Sequence, residues 1–402
     1  MRLSRRAALF TLASTSMLHA VPARAHKKYD VGASDTEIRI GHTVPYSGPA
    51  SAFGVFGKTS AAYFRKINEE GGIHGRKINF LSLDDAYSPP KTVEMTRKLV
   101  ESENVLLMFN QLGTAPNAAI QKYMNMKKVP HLFLSTGASR FIDPRNAPWS
   151  MAFLAGYEVE GAVYATHILK TKPNAKIAVL SQSDDYGRDF LRGFKAGLGS
   201  KANLIVAEAT YEPTDPTVDS QIVGFKASGA DVFMNISLPK QALQAIRKSH
   251  ELDWKPQYYL IGSASGVNTT MVPAGRERST GIYSATYWKD PSDPRWKDDQ
   301  GVKDYLAFMK QYYPDGDPTD RVCYNGYSAT QLMVHVLRQC GDELTRENVM
   351  KQASHLKNVE LPLLIPGIRV NTSPDDYRVI RAMQLTRFDG EKFVNVGDVI
   401  GF

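Results

Sequence analysis

Residues 37–85 place the tightest limit on what this chain can fold into. Ile38, Arg39, Ile40 and Gly41 form a short β-run that stops at Pro45-Tyr46-Ser47-Gly48-Pro49. Tyr63, Phe64 and Ile67 then recur on one helix face, with Arg65, Lys66, Glu69 and Glu70 falling mostly elsewhere. Gly71-Gly72 ends that helix, because glycine adopts the left-handed cap at little cost. Gly75 turns the chain into a second β-run, 78–83, which stops at Asp84-Asp85. Strand, helix and strand of this length predict a βαβ unit with a right-handed crossover. Ligands of open α/β sheets sit beyond the carboxyl ends of the strands, so the 45–56 loop is expected at a binding site.

The same alternation runs on. Helices are predicted at 91–100 and 114–126, and strands at 105–109 and 131–134, the last ending at Ser135-Thr136-Gly137-Ala138-Ser139. A crossing is placed at Ala147-Pro148, after which the pattern restarts. Strands at 176–180, 204–209, 232–236 and 258–261 alternate with helices at 159–169, 221–227 and 240–250. Phe190, Phe194 and Leu198 mark one more helix. The aromatic, proline-rich segment 288–296 reads as a return crossing. Helices near 304–312, 324–339 and 346–353 are then expected to pack back on the first lobe. Asp389-Gly390 turns a closing hairpin. At 402 residues the chain exceeds one ordinary core, which fits two α/β lobes. Asp-Asp follows a strand at both Asp84-Asp85 and Asp184-Asp185, a hint that the lobes are related.

The first 25 residues stand apart from this pattern. Arg2, Arg5 and Arg6 precede a weakly apolar run, and Ala23-Arg24-Ala25 is a small-x-small cleavage site, predicting a signal peptide cut before His26. Ser4-Arg5-Arg6 fits the twin-arginine signal, and paired arginines also occur in ordinary secretory signals; both routes stay open. No later stretch approaches the roughly 18 apolar residues of a membrane span. Removing the leader's four arginines lowers the net charge from +8 to +4. That small excess forms no basic block, so a nucleic-acid partner is not expected. Cys323 and Cys340 fall on one predicted helix, about 25 Å apart at helical rise, beyond disulfide reach. They read as small buried side chains.

Catalytic patterns fail on their spacing. Gly54-Val55-Phe56-Gly57-Lys58-Thr59 lacks the four residues that must separate the glycines of a phosphate loop. Ser237-Leu238-Pro239-Lys240 has the spacing of a serine–lysine acylase without its companion elements. Gly262-Ser263-Ala264-Ser265-Gly266 puts alanine where a nucleophile elbow needs its serine. The nine histidines form no metal-ligand pattern. Asp84-Asp85 and Asp184-Asp185 read as turn caps. No enzyme activity, catalytic residue, metal or cofactor is expected. The strand-end loops offer amides, hydroxyls and aromatic walls instead, with Gly113-Thr114 and Gly137-Ala138-Ser139 the best candidates for an anion.

Ser47-Gly48-Pro49, 68–76 (Asn-Glu-Glu-Gly-Gly-Ile-His-Gly-Arg), Asp84-Asp85 and Asp185-Tyr186-Gly187 resemble the periplasmic leucine/isoleucine/valine-binding proteins, receptors of ATP-binding-cassette (ABC) importers. The resemblance covers the chain from about residue 36. It implies a type I periplasmic binding protein, with two Rossmann-like lobes joined by a three-strand hinge and closing on ligand. Lobe 1 would comprise 36–148 plus 288–362 and lobe 2 149–287 plus 363–402, after a 1–25 signal peptide. The family's aromatic wall falls on Phe53, its carboxylate-binding positions on Gly113, Thr114, Gly137 and Ser139, its cleft tyrosine on Tyr186, and a late aromatic near Tyr324. The residues that hold the ligand's ammonium in the family align with Ser237 and with Ala264 or Ser265. Tyr87 stands where the family has a cysteine.

Serine and alanine supply no counter-charge, and an unpaired buried charge costs several kcal/mol. The expected ligand is therefore a small carboxylate, an amino acid or rather an aromatic or other organic acid. The expected setting is a periplasmic monomer that serves the permease subunits of an ABC importer without inserting into the membrane. A sensing module of the same fold is the alternative, and a hydrolase using Ser237 or Ser263 a third class.

Overall fold

The structure is a computed structural model describing residues 27–401; the predicted signal peptide and its cut lie outside the described residues. β1 (Lys28–Tyr29) precedes five strands of one sheet: β2 (Glu37–Val44), β3 (Lys77–Asp84), β4 (Leu107–Phe109), β5 (His131–Leu134) and β6 (Ser150–Ala152). These are all parallel, in the order β3-β2-β4-β5-β6. Central strands covered on both faces must be apolar throughout, and Leu107, Met108, Phe109, Leu132, Phe133 and Leu134 are fully buried. β6 extends this sheet past the predicted crossing at Ala147-Pro148.

β7 (Ile177–Gln182), β8 (Ile205–Tyr211), β9 (Val232–Ile236), β10 (Gln257–Leu260) and β11 (Tyr283–Thr286) form a second parallel set. After the short β12 (Glu343–Leu344), which pairs with β1, the hairpin β13 (Ala382–Phe388) and β14 (Phe393–Gly401) adds antiparallel to β11. The second sheet thus runs β14-β13-β11-β10-β9-β7-β8. Apart from its hairpin it repeats the strand order of the first. The two Asp-Asp pairs are not equivalents within that repeat. One follows the edge strand β3, the other the inner strand β7.

The late helices do pack on the first sheet's own helix. Tyr63 of Val55–Glu69 meets Tyr327 of Arg321–Cys340 edge-on at 5.1 Å, and Thr330 Oγ1 donates to Ser60 Oγ at 3.0 Å. The chain passes between the sheets three times, after β6, after β11 and before β13. Lys289 donates its N–H to Leu363 and Ile365 donates to Tyr287, tying two of these segments together. Both cysteines are buried and free in the helix Arg321–Cys340. No helix among the described residues is long and apolar enough to cross a membrane.

Candidate functional site

In a doubly wound sheet a crevice opens where adjacent connections leave in opposite directions, beyond the strand ends. The first sheet has that point between β2 and β4, and the second has it between β7 and β9. The two crevices face each other across the interlobe cleft. Phe53 and Phe56 follow β2, Leu112, Gly113 and Thr114 follow β4, Tyr186 follows β7, and Leu238 follows β9. All line one cavity.

The walls are apolar and aromatic. Phe53 and Phe56 stack at 6.2 Å, and Tyr157 meets Tyr186 edge-on at 5.1 Å. Tyr87 leans in from the turn after β3, where Ala86 and Tyr87 both hold left-handed backbone at φ 51° and 59°. Burial pushes the Tyr87 phenol far above its ordinary pKa, so it is a neutral hydroxyl. Leu238 of the second lobe packs into the first lobe's cluster of Val44, Phe53, Phe56, Tyr87 and Leu112, which puts the lobes in contact.

Gly113 opens the helix Thr114–Lys127 at φ 92°, ψ 153°, a conformation reserved for glycine. A Cβ there would stand 2.5 Å from Tyr87 Cε2. No side chain caps this helix start, so its first amides stay free beside the Thr114 hydroxyl, which shares a 2.8 Å hydrogen bond with Thr136. Free N–H groups and the helix dipole favour an anion here.

The Asp-Asp pairs serve as caps. Asp84 accepts from the amides of Tyr46, Ser47 and Ala86. Burial would raise its pKa, but the Lys91 ammonium and Ser47 hydroxyl hold it well below the usual range. Asp184 caps the helix Asp185–Leu198 through the amides of Tyr186 and Gly187.

Five of the predicted site residues stand close to the cavity without forming its wall. A Cβ on Gly137 would strike the Ala155 carbonyl, so that glycine serves close packing against the first crossing. Ser139 borders a separate polar bay, donating its N–H to Asp189 while its hydroxyl accepts from Arg192. Ser237 is buried, its hydroxyl without a protein partner. Ser265 bonds to Gly262, Ser284 and Arg321. Tyr324 packs against Trp288 and Tyr305.

The helix that carries Tyr324 presents Arg321, Val322 and Asn325 to the cavity instead. Among the described residues Arg321 is the one charged side chain on this wall. Its Nη1 donates to the Gly262 carbonyl at 2.5 Å and Ser265 Oγ at 3.0 Å. Leu154, Tyr157, Ser263, Arg321 and Asn325 also border a second, adjoining bay that reaches Glu160. Glu160 Oε1 accepts from the Gly262 amide and the Tyr164 hydroxyl, each at 2.7 Å. Burial raises its pKa, against the pull of those two bonds and of nearby Arg321. Arg321 escaped sequence reasoning because no spacing motif marks it; its place behind the helix cap Asp320 was the one available signal.

Among the described residues no group of three His, Cys, Asp or Glu side chains could hold a metal ion. Comparison with known proteins agrees with this geometry. The model of a periplasmic binding protein family matches residues 37–392. Leu/Ile/Val-binding protein homolog 7 of Brucella abortus is 23% identical over 310 residues, 75% of each chain. A branched-chain amino acid ABC transporter protein from Thermus thermophilus, solved with bound valine, superposes with TM-score 0.83 at 15% identity, covering 92% of this chain and 98% of its own. A fatty acid ABC transporter substrate-binding protein from Thermomonospora curvata gives 0.78 at 21%, covering 93% and 95%. A cleft between two sheets of the same winding and a family match across nearly the whole chain lead to one assignment: this chain belongs to the periplasmic binding proteins, a family of substrate-binding proteins, with the type I fold of their leucine/isoleucine/valine-binding members.

Proposed function

We propose that this protein captures a small organic acid lacking an α-ammonium group and hands it to an ABC importer in the inner membrane. The observation that carries the reading is the composition of the cavity wall. Phe53, Phe56, Tyr87, Tyr157 and Tyr186 surround it, and a free helix start and the Arg321 guanidinium are the features on it that favour an anion. Among the described residues no carboxylate stands on that wall. An ammonium placed there would meet a cation and find no counter-charge, at a cost of several kcal/mol. A carboxylate would meet the amide of Thr114 and its hydroxyl. The solved relative named for fatty acid supports the reading, since its named ligand is an acid without an amine. The protein acts in this reading as an exported periplasmic monomer, matured by cleavage between Ala25 and His26, with lobe boundaries just after Ala152 and near 288 and 363.

Calorimetry with leucine and phenylalanine against their deaminated acids and simple benzoates tests the ligand class. The acids are expected to bind and the amino acids to bind weakly or not at all. Tight binding of leucine with none of the deaminated acids refutes the proposal and points to Glu160, the carboxylate of the adjoining bay, as an ammonium partner.

A further inference from the structure

Arg321 and Asn325 lie one helical turn apart and border both bays of the cleft. Each carries a buried polar atom with no protein partner: the Arg321 Nε–H, a donor, and Asn325 Oδ1, an acceptor. Buried polar atoms without partners are rare in folded proteins, and a charged donor left so is among the more costly. The rest of Arg321 is not short of partners. Its Nη1 is fixed on the carbonyl of Gly262 and the hydroxyl of Ser265, with the Ala285 carbonyl at 3.4 Å. The guanidinium is thereby locked in orientation, while its Nε is left without a protein acceptor.

We infer that Arg321 and Asn325 form a second polar subsite that reads a hydroxyl group on the ligand. A hydroxyl is the small group that answers both atoms at once. Its oxygen accepts from Arg321 Nε–H, and its hydrogen is donated to Asn325 Oδ1. A methyl group would leave both atoms unpaired. An ether oxygen would satisfy the donor alone. A second carboxylate would set negative charge against the Asn325 carbonyl oxygen. This inference rests on the proposed acid ligand and adds a second functional group. The ligand is a hydroxylated acid whose carboxylate sits at the Thr114 helix start. Its apolar, ring-sized body lies between Phe53 and Tyr157, and its hydroxyl lies at the junction with the bay that Gly113 and Thr114 do not border.

The test is calorimetry with benzoate, 3- and 4-hydroxybenzoate, 4-methylbenzoate, 4-methoxybenzoate, cinnamate and 4-hydroxycinnamate. It uses the mature protein and two variants. Asn325→Leu removes the acceptor. Arg321→Lys keeps the positive charge and a donor to Gly262 but has no Nε–H. At least one hydroxy acid should bind about tenfold or more tightly than its parent and than the methyl or methoxy analogue. Both variants should erase that advantage, lowering affinity for the hydroxy acid more than for its parent acid. Preference for the methyl analogue in the parent protein overturns the inference, as does a hydroxyl advantage that survives both variants. An equal loss of parent and hydroxylated acids in Arg321→Lys also overturns it, since Arg321 would then hold the carboxylate. In each of these results the acids still bind, so the proposed ligand class stands. Binding of leucine with no binding of any acid removes that class and this subsite together.

Discussion

Arg140 Nη1 of the first lobe lies 2.7 Å from Asp185 Oδ2 of the second, so an ion pair spans the two lobes. Beside it, Ser139 donates its N–H to Asp189, and Arg192 holds both Asp189 and the Ser139 hydroxyl. The two halves of this latch differ in exposure. The Arg140–Asp185 side chains are more than a third exposed, whereas Asp189 is 5% exposed. Arg140→Ala should therefore weaken closure by about 0–1 kcal/mol, and less in high salt. Asp189→Ala leaves the Ser139 amide without its charged acceptor, while Arg192 keeps Glu158, and should weaken ligand binding by about 1.5–3 kcal/mol. Small-angle scattering at saturating ligand should show a larger radius of gyration for Asp189→Ala. Equal effects of the two substitutions would refute this ranking.

Gly113→Ala should abolish binding with a modest loss of stability. The substitution forces an L-residue to φ 92° and drives its Cβ to 2.5 Å from the Tyr87 ring. Strain of this kind costs about 1–3 kcal/mol, and relief requires Tyr87 to move into the cavity. Thermal melting and calorimetry on the same sample separate the two effects. A variant that binds normally would mean that the helix start is not part of the site.

Phe53→Ala should discriminate among ligands by size. Phe53 contributes wall area and no polar atom, so its loss should cost about 1–2 kcal/mol for a ring-bearing or long apolar acid and little for acetate or propionate. A uniform loss across the series would mean instead that the loop around Ser51–Gly54 had collapsed.

The pH dependence of stability combines two opposed contributions. Burial lowers the pKa of His42 to about 4 and of His131 to about 3, so both are neutral in the folded sheet. Their contribution is fully present above the unfolded value near 6.5 and is lost as pH falls toward those folded values, by roughly 3–5 kcal/mol apiece. Asp320 behaves oppositely. Burial, with Asp317 nearby, raises it to about 6. Its contribution is present below the unfolded value of 3.8 and is lost as pH rises to about 6. The histidines dominate, so melting temperature should fall from pH 6.5 to 4. His131→Asn should flatten that slope and Asp320→Asn should steepen it. A slope unaltered in His131→Asn would remove the histidine from the account.

Much of this was legible in the residues. The alternation of β-runs and helical faces gave β2 to β5 and β7 to β10 to within two or three residues at their ends, and missed β6, which lies just past the expected crossing. The rule that ligands sit beyond strand ends brought Phe53, Gly113, Thr114 and Tyr186 to one cavity. The phase of each element against that cavity was not legible. At the end of β9 a single step along the chain decides that Leu238 meets the cleft while Ser237 is buried behind it. On the helix Arg321–Cys340 the residues at 321, 322 and 325 face ligand space, and Tyr324, a quarter turn round, faces Trp288. Ser139 follows β5, one strand beyond the crevice, and so reaches the latch rather than the cavity. These phases are set by packing between lobes, which a single strand's pattern does not record.

The bond from Thr330 to Ser60 joins residues 270 positions apart, and it has a consequence for heredity. The first lobe's strands are complete by Ala152, yet its helix Val55–Glu69 stays uncovered until Arg321–Cys340 has been made. A stop codon anywhere before Arg321 would yield not half a receptor but a fragment with Tyr63 and its neighbours bare, fit for proteases. Recombination between relatives faces the same geometry. Exchanging the first third of the gene alone would set one parent's Tyr63 against the other's Tyr327. The heritable module is the early segment together with its distant cover, so successful chimaeras should join where the chain passes between sheets and carry both pieces from one parent.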